Sequence, residues 1–428
     1  MQTLMSLSVA LFAGLMLSRL AKIAKLPAVT AYLVAGILVG PYFIGAFGFE
    51  GLGFISMADV DKYSIISDVA LGFIAFSIGN EFRLAQLKKT GKQATVIGIF
   101  QAVFATLLVD VVLIAVHFAM PDKLPLPAAI VLGAVASATA PAATLMVVRQ
   151  YKAKGPLTDI LLPIVALDDA VGLVIFAVSF GVAKALISGH VDILSVVVEP
   201  ILEVFLSLLL GLVMGLLFTF FEKFFHSKSK RLSMSVTFVF LTVALSMIKF
   251  EIFGIHIAFS SLLVCMMLGT IFCNICDFSE ELMDRVDRWT APLFILFFVI
   301  SGAELELSVF KDFAIVAIGL IYILARSFGK YLGAYSSAKA VKCEKNIVKY
   351  LGITLLPQAG VALGMAIKAE QLGAEGAIVA NITLFGVLIY ELIGPMLTKI
   401  SLLKAGEIKP EEKTSARAEA QKTLVNKE

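Results

Sequence analysis

Leu157-Thr-Asp-Ile-Leu-Leu-Pro-Ile-Val-Ala-Leu-Asp168-Asp169-Ala-Val-Gly-Leu-Val-Ile-Phe-Ala-Val178 decides how this chain is read. Two adjacent carboxylates stand in a run otherwise apolar enough to cross hydrocarbon, where each charge costs about 2.5–3.5 kcal/mol on insertion scales. A carboxylate kept there holds a cation, carries a proton or pairs with a buried base. All three uses belong to ion handling.

The surrounding composition agrees. Of 428 residues, 59% are hydrophobic and 16% charged, with a mean hydropathy of +0.96, against about 45–50% apolar in soluble proteins. The chain is expected to be an all-α polytopic membrane protein with the lipid bilayer as its solvent. Apolar runs between polar breaks give about thirteen transmembrane helices, near 3–21, 29–47, 64–82, 93–118, 126–149, 157–184, 195–222, 232–249, 254–275, 289–303, 312–338, 348–369 and 376–402. The N-terminus lacks a basic region and a small-residue cleavage motif, so it reads as a first span and not a signal peptide. Cys273-x-x-Cys276 has no second pair or histidine set to complete a metal site. No cofactor, nucleic-acid partner or metal is expected beyond a transported ion.

Charge sorts the loops. Arg19, Lys22 and Lys25, then Arg83 and Lys88, Arg149 and Lys152, Lys228 and Arg231, Arg285 and Arg288, and Lys339 and Lys342 fall on alternate loops. The positive-inside rule makes that side cytoplasmic, with the N-terminus outside and the C-terminus inside an inner (plasma) membrane. Residues 403–428 form a short mixed-charge tail that reads as disordered.

A repeat runs through the spans. The third ends Gly79-Asn-Glu81-Phe-Arg-Leu and the tenth Gly302-Ala-Glu304-Leu-Glu-Leu, a shared Gly-x-Glu-x-x-Leu seven spans apart and therefore oppositely directed. The fifth and twelfth spans, also seven apart, carry Thr139-Ala-Pro141 and Leu356-Pro357-Gln358 beside small residues. This predicts an inverted-topology repeat, halves about 1–184 and 232–402 with 195–222 as linker helix, whose two broken helices cross near the bilayer midplane. Carbonyls freed at such breaks suit a cation, and half-helix N-termini suit carboxylates.

Adjacent helical residues point about 100° apart, so Asp168 and Asp169 are expected to do different jobs, one facing the cation and one a base. Candidates for the base are Arg326 and Lys330, four apart on one face of the eleventh segment. Counting residues puts Lys330 nearer the cytoplasmic end, where a long side chain snorkels, but a tilted helix leaves its depth open. Ser137 and Thr139 offer hydroxyl oxygens either to an ion or to a freed carbonyl. Gln358 either stabilises the crossing or bonds locally. Glu81 and Glu304 read as interface or gate residues, and His256 as a packing residue.

Together, Leu162-Pro-Ile-Val-Ala-Leu-Asp-Asp-Ala-Val-Gly172, Thr139-Ala-Pro-Ala-Ala-Thr144, Arg326-Ser-Phe-Gly-Lys330-Tyr-Leu-Gly-Ala and Leu356-Pro-Gln-Ala-Gly-Val-Ala-Leu-Gly364 resemble the bacterial monovalent cation:proton antiporters, second branch, over residues 1–402. The resemblance implies a homodimer with a dimerisation domain and a moving core, alternating access, and exchange of Na+, or K+, for H+. It implies that Asp169 is the principal cation ligand and that Asp168 alternates between protonation and a salt bridge to Lys330. The double aspartate implies electrogenic exchange. Proton and cation then compete for one carboxylate, which makes exchange obligatory.

The rival readings are an intramembrane aspartyl protease, an ion channel and a potassium efflux system. A protease dyad needs carboxylates converging from separate helices, and no Gly-x-Gly-Asp motif occurs. Repeats with charged mid-membrane sites suit a transporter better than a continuous pore.

Overall fold

Within hydrocarbon, every backbone N–H and C=O has to find a partner inside the protein, which leaves helices as the way for these segments to cross. The computed structural model describes residues 2–24, 26–80, 82–188, 198–248, 250–252, 255–305, 307 and 312–408. The helices in order are α1 (Gln2–Ile23), α2 (Ala28–Val39), α3 (Met57–Asp61), α4 (Ser64–Asn80), α5 (Leu84–Ala119), α6 (Leu126–Val135), α7 (Pro141–Gln150) and α8 (Pro156–Ser188). After these come α9 (Glu199–Glu222), α10 (Lys228–Ser246), α11 (Ser261–Ile275), α12 (Ser279–Ala303), α13 (Phe313–Ala340), α14 (Lys345–Thr354), α15 (Gly360–Ala369) and α16 (Ala374–Lys404). A hairpin of β1 (Phe250–Ile252) and β2 (Ile255–Ile257) sits between α10 and α11.

Helix occupies every segment predicted from hydropathy, and the fifth and twelfth are each split in two. Among the described residues, eight helices are long and apolar enough to cross a membrane by themselves; α4, α6 and α11 are shorter apolar helices. Large apolar side chains such as Phe12, Val111, Phe118 and Leu324 are exposed on the outer surface, as expected where lipid is the solvent.

Several boundaries differ from expectation, among them the end of α2 at Val39 and the start of α5 at Leu84. The ninth segment opens as β2 and becomes helical at Ser261, where the Ser260 hydroxyl accepts from the Leu263 N–H at 3.4 Å. The tenth begins ten residues earlier than its apolar part, because Glu280 and Glu281 in the first turn favour a helix start that hydropathy does not register. At the C-terminus, α16 runs to Lys404, and Glu407 then caps the start of α8 by accepting from the Leu157 and Thr158 N–H groups at 2.6 and 2.8 Å. Ordered chain therefore extends into the expected tail. Residues 409–428, Glu81, His190, Asp192 and the side chain of His256 lie outside the described residues.

Two helix crossings share one construction. A Cβ on Gly36 of α2 would come within 2.0 Å of the Val299 carbonyl oxygen on α12, and one on Gly302 of α12 within 2.2 Å of the Leu33 oxygen on α2. Where α4 meets α11, a Cβ on Gly79 would come within 1.9 Å of the Met266 oxygen and one on Gly269 within 2.2 Å of the Phe76 oxygen. Backbone touches backbone at both places, so glycine is required there. Elsewhere α5 packs on α8 and α13 on α16, α5 on α6 and α13 on α14, and α5 and α13 lie against each other. In these contacts α5, α6 and α8 have the same neighbours among themselves and across the pair as α13, α14 and α16.

Candidate functional site

Proline has no N–H to give and its ring clashes with the preceding turn, so Pro141 cannot continue α6 and instead starts α7. Residues 136–140 are left between the two helices. Pro357 lies in the matching gap, 355–359, between α14 and α15. The gaps meet: the Ala140 N–H donates to the Pro357 carbonyl at 2.8 Å.

Each gap leaves helix C-terminal carbonyls without intrahelical partners, and buried orphan carbonyls are costly. Arg326 supplies the donors. Its fully buried guanidinium gives Nε to the Ala136 oxygen at 3.0 Å, Nη2 to the Ala138 oxygen at 2.6 Å and Nη1 to the Leu356 oxygen at 2.8 Å, binding both gaps together. The same guanidinium lies 4.4 Å from the Tyr390 ring centroid, a favourable cation–π placement. Arg326 is therefore a cross-brace and does not snorkel to the interface. Gln358 adds a second brace, donating Nε2 to the Val135 oxygen at 2.9 Å and meeting the Tyr322 hydroxyl. Of its two open readings, the crossing is the one realised.

One turn along α13, Lys330 is also fully buried. Its three donors are all used: the Ser137 carbonyl at 2.5 Å, the Thr139 hydroxyl at 2.9 Å and Asp168 Oδ2 at 3.0 Å. Thr139 donates its own proton to Asp168 Oδ2 at 2.6 Å, and Gln101 Nε2 donates to Oδ1. Ser137 contributes differently from Thr139, since its hydroxyl turns back to the Ala134 carbonyl at 2.7 Å and only its backbone oxygen reaches Lys330.

Asp169 has none of this. It is 1% exposed, and neither carboxylate oxygen has a hydrogen-bond partner among the described residues. It lines a cavity of about 300 Å³ bordered by Phe176, Glu203, Phe259, Gly360 and Lys368. A Cβ built on Gly360 or Gly364 would meet open space, which places the N-terminus of α15 on that cavity. An oxygen-rich carboxylate with unused lone pairs beside a helix break can take a monovalent cation or a proton.

A larger cavity of about 880 Å³ is lined by residues of α2, α7, α8 and α12, including Tyr32, Arg149, Leu162, Pro163, Asp287 and Phe294. Asp168 and Asp169 are not among its lining residues. Arg149 of α7 and Asp287 of α12 form an ion pair at 2.5 Å, with the Ser77 hydroxyl of α4 on the same carboxylate at 3.3 Å.

The structure brings Asp168, Lys330, Thr139, Ser137, Arg326, Gln358, Pro141 and Pro357 together at the two gaps, with Asp169 next along α8. Sequence reasoning missed Gln101, Tyr322 and Tyr390. An amide in the middle of the apolar fourth segment was a usable signal for Gln101; the two tyrosines gave none.

Comparison with known proteins follows the same line. The family model described as sodium/hydrogen exchanger, transmembrane, matches residues 7–404. The chain is similar to the Na+/H+ antiporter NhaS4 of Synechocystis, 23% identical over 391 residues, 87% of this chain and 91% of that protein. Its fold is similar to that of the sodium/proton antiporter MjNhaP1 of Methanocaldococcus jannaschii at pH 8, with a TM-score of 0.68 at 20% identity, covering 95% of this chain and 99% of the other. An electron-microscopy structure of that antiporter gives 0.74 at 17% identity, covering 95% and 98%.

Proposed function

The chain belongs to the sodium/hydrogen exchanger family, as a multi-pass membrane cation:proton exchanger and secondary transporter rather than an enzyme, and from that premise we propose how its site works. Asp169 binds the cation or a proton, one excluding the other, and Asp168 is the carboxylate that Lys330 holds. The observation that carries this reading is the contrast in partners: Asp168 accepts from Gln101, Thr139 and Lys330, while Asp169 lines the smaller cavity and neither of its buried oxygens has a partner among the described residues. Competition at one carboxylate couples the two fluxes without further machinery.

The inverted repeat is supported by the paired glycine crossings and by the matched neighbours of the two halves. On the positive-inside orientation, with the N-terminus outside and the C-terminus in the cytoplasm, the Asp169 cavity opens outward and the larger cavity faces the cytoplasm. Alternating access then requires the Arg149–Asp287 bridge, which ties α7 to α12 at the cytoplasmic end, to open in the inward-facing state. The transported cation is Na+, with K+ as the alternative; exchange is electrogenic, and the working unit is a homodimer whose core slides against its dimerisation domain.

In everted vesicles carrying a preformed pH gradient, Na+ collapses the gradient in the native protein and does not in Asp169→Asn. A dose series with K+ and Li+ ranks the cations. Exchange that persists in Asp169→Asn sinks the assignment, and cation conductance without proton movement identifies a channel.

A further inference from the structure

The smaller cavity is lined by two pairs of helices. Asp169 of α8 and Lys368 of α15 come from one pair, Glu203 of α9 and Ser260 before α11 from the other. The second pair is tightly joined. The buried Ser207 hydroxyl of α9 donates to the Glu203 carbonyl at 2.5 Å and accepts from the Ser260 N–H at 2.9 Å. Further along, a Cβ on Gly211 of α9 would come within 2.4 Å of the Val264 oxygen on α11. Glu203 therefore stands on a fixed frame, not on a loop.

Among the described residues, the charged side chains lining this cavity are Asp169, Glu203 and Lys368; the rest of the lining is apolar side chains, serines and glycines. Their depths differ. Asp169 is buried in the middle of α8, Glu203 is half-buried just past the first turn of α9, and Lys368 is exposed in the last turn of α15. On the orientation proposed above, the start of α9 and the end of α15 are outer ends, so Glu203 and Lys368 stand between external water and Asp169. Neither is bonded to Asp169, whose oxygens have no partner among the described residues. Charges in a cleft with apolar walls are screened less than charges on an open surface, so both act on an ion inside it. Glu203 attracts a cation and Lys368 repels it.

We propose that Glu203 draws the cation from the outer side into the Asp169 cavity and that Lys368 opposes it, the two together setting the apparent affinity for Na+ at that face. This deepens the reading of Asp169 as the exchange carboxylate and rests on it. Glu203 acts by its charge and leaves the competition at Asp169 unchanged. Losing Glu203 therefore raises KM and spares kcat, and losing Lys368 lowers KM. An effect of this kind fades as salt shortens the Debye length, from about 30 Å at about 0.01 M to about 8 Å at about 0.15 M.

The test follows Na+-driven exchange by the full chain at low ionic strength, in right-side-out vesicles, which offer Na+ to the outer face, and in everted vesicles, which offer it to the cytoplasmic face. In right-side-out vesicles Glu203→Gln is expected to raise the Na+ KM about threefold or more, the effect of roughly one kT from a single charge. Its kcat should stay within about twofold of native. Glu203→Asp should stay close to native, and Lys368→Gln should lower the KM. In everted vesicles the KM should move less, and about 0.15 M choline chloride should shrink the outer-face shift. An outer-face KM unchanged in Glu203→Gln overturns the proposal; where that variant does not fold, an unchanged KM in Lys368→Gln, at an exposed position, does the same. So does a shift that added salt leaves intact, which would make Glu203 a direct ligand or a packing residue. A kcat that changes in the same direction in both variants would make the two residues a gate across the mouth, and also overturns it. Asp169→Asn separates the two assignments. Exchange that persists there sinks the role of Asp169, whereas exchange lost there with the outer KM unmoved by Glu203→Gln sinks recruitment alone.

Discussion

Asp168 and Asp169 share a peptide bond, a helix and near-complete burial, yet among the described residues one accepts three hydrogen bonds and the other none. The difference comes from the helical turn of about 100° between them. That rotation points Asp168 at α5, the 136–140 gap and α13, where Gln101, Thr139 and Lys330 wait, and leaves Asp169 on the cavity bordered by α15. A pair that costs as much to bury as this one is therefore divided between a fixed structural charge and an available one. The lesson is that adjacency in sequence separates functions on a helix, where convergence would have required two helices.

The contrast can be broken from either side. The largest effect is expected from Asp169→Asn, which removes the available carboxylate and should reduce Na+-driven exchange by about 100-fold or more in vesicles, the scale seen when a required charged group is lost. Since Asp169 has no partner to lose, the variant should unfold in detergent no earlier than the native protein, and about 1–3 kcal/mol of desolvation cost is relieved. Lys330→Ala acts on the other side. Removing one member of a buried pair costs about 3–5 kcal/mol, so its thermal transition should fall markedly. Much of that loss should return in the double variant Asp168→Asn/Lys330→Ala; a double variant as unstable as the single one would show that Lys330 matters mainly for the Ser137 carbonyl.

A smaller loss is expected for Gln101→Leu, about 1–3 kcal/mol from one acceptor of Asp168 left unsatisfied, with exchange reduced far less than in Asp169→Asn. Smallest is Ser137→Ala. Its hydroxyl bonds only the Ala134 carbonyl, and Lys330 keeps the Ser137 backbone oxygen, so stability should change by about 1 kcal/mol or less and the Na+ KM should hold. Thr139→Ala, by contrast, deletes a side-chain oxygen that touches both Asp168 and Lys330; a KM equal to that of Ser137→Ala would erase the distinction between the two hydroxyls.

Much of this was legible in the sequence. Hydropathy located the helical segments, Pro141 and Pro357 located both gaps, and the match of Gly79 with Gly302 pointed to the helices that make the two glycine crossings. The partners of those glycines, Gly269 and Gly36, carry no local signal, because only the crossing itself reveals that a Cβ would strike a carbonyl. Polar braces were harder still. Tyr322 and Tyr390 look like ordinary aromatic residues of apolar helices until their hydroxyls are seen on Gln358 and on Ser327 and the Ile323 carbonyl. Arg326 was visible as a charge but not as the group that satisfies carbonyls of both gaps, since that depends on which backbone atoms the fold leaves over. The first ten residues of α12 escaped because first-turn charge, not apolar content, marks their start.

The central claim, that a cation and a proton compete for Asp169, is tested most directly by adding Na+ to the purified protein in weak buffer and measuring proton release. The account predicts release of about one proton per site, by linkage, from the native protein and none from Asp169→Asn, while Ser137→Ala releases as much as native. Proton release of native size from Asp169→Asn would contradict it.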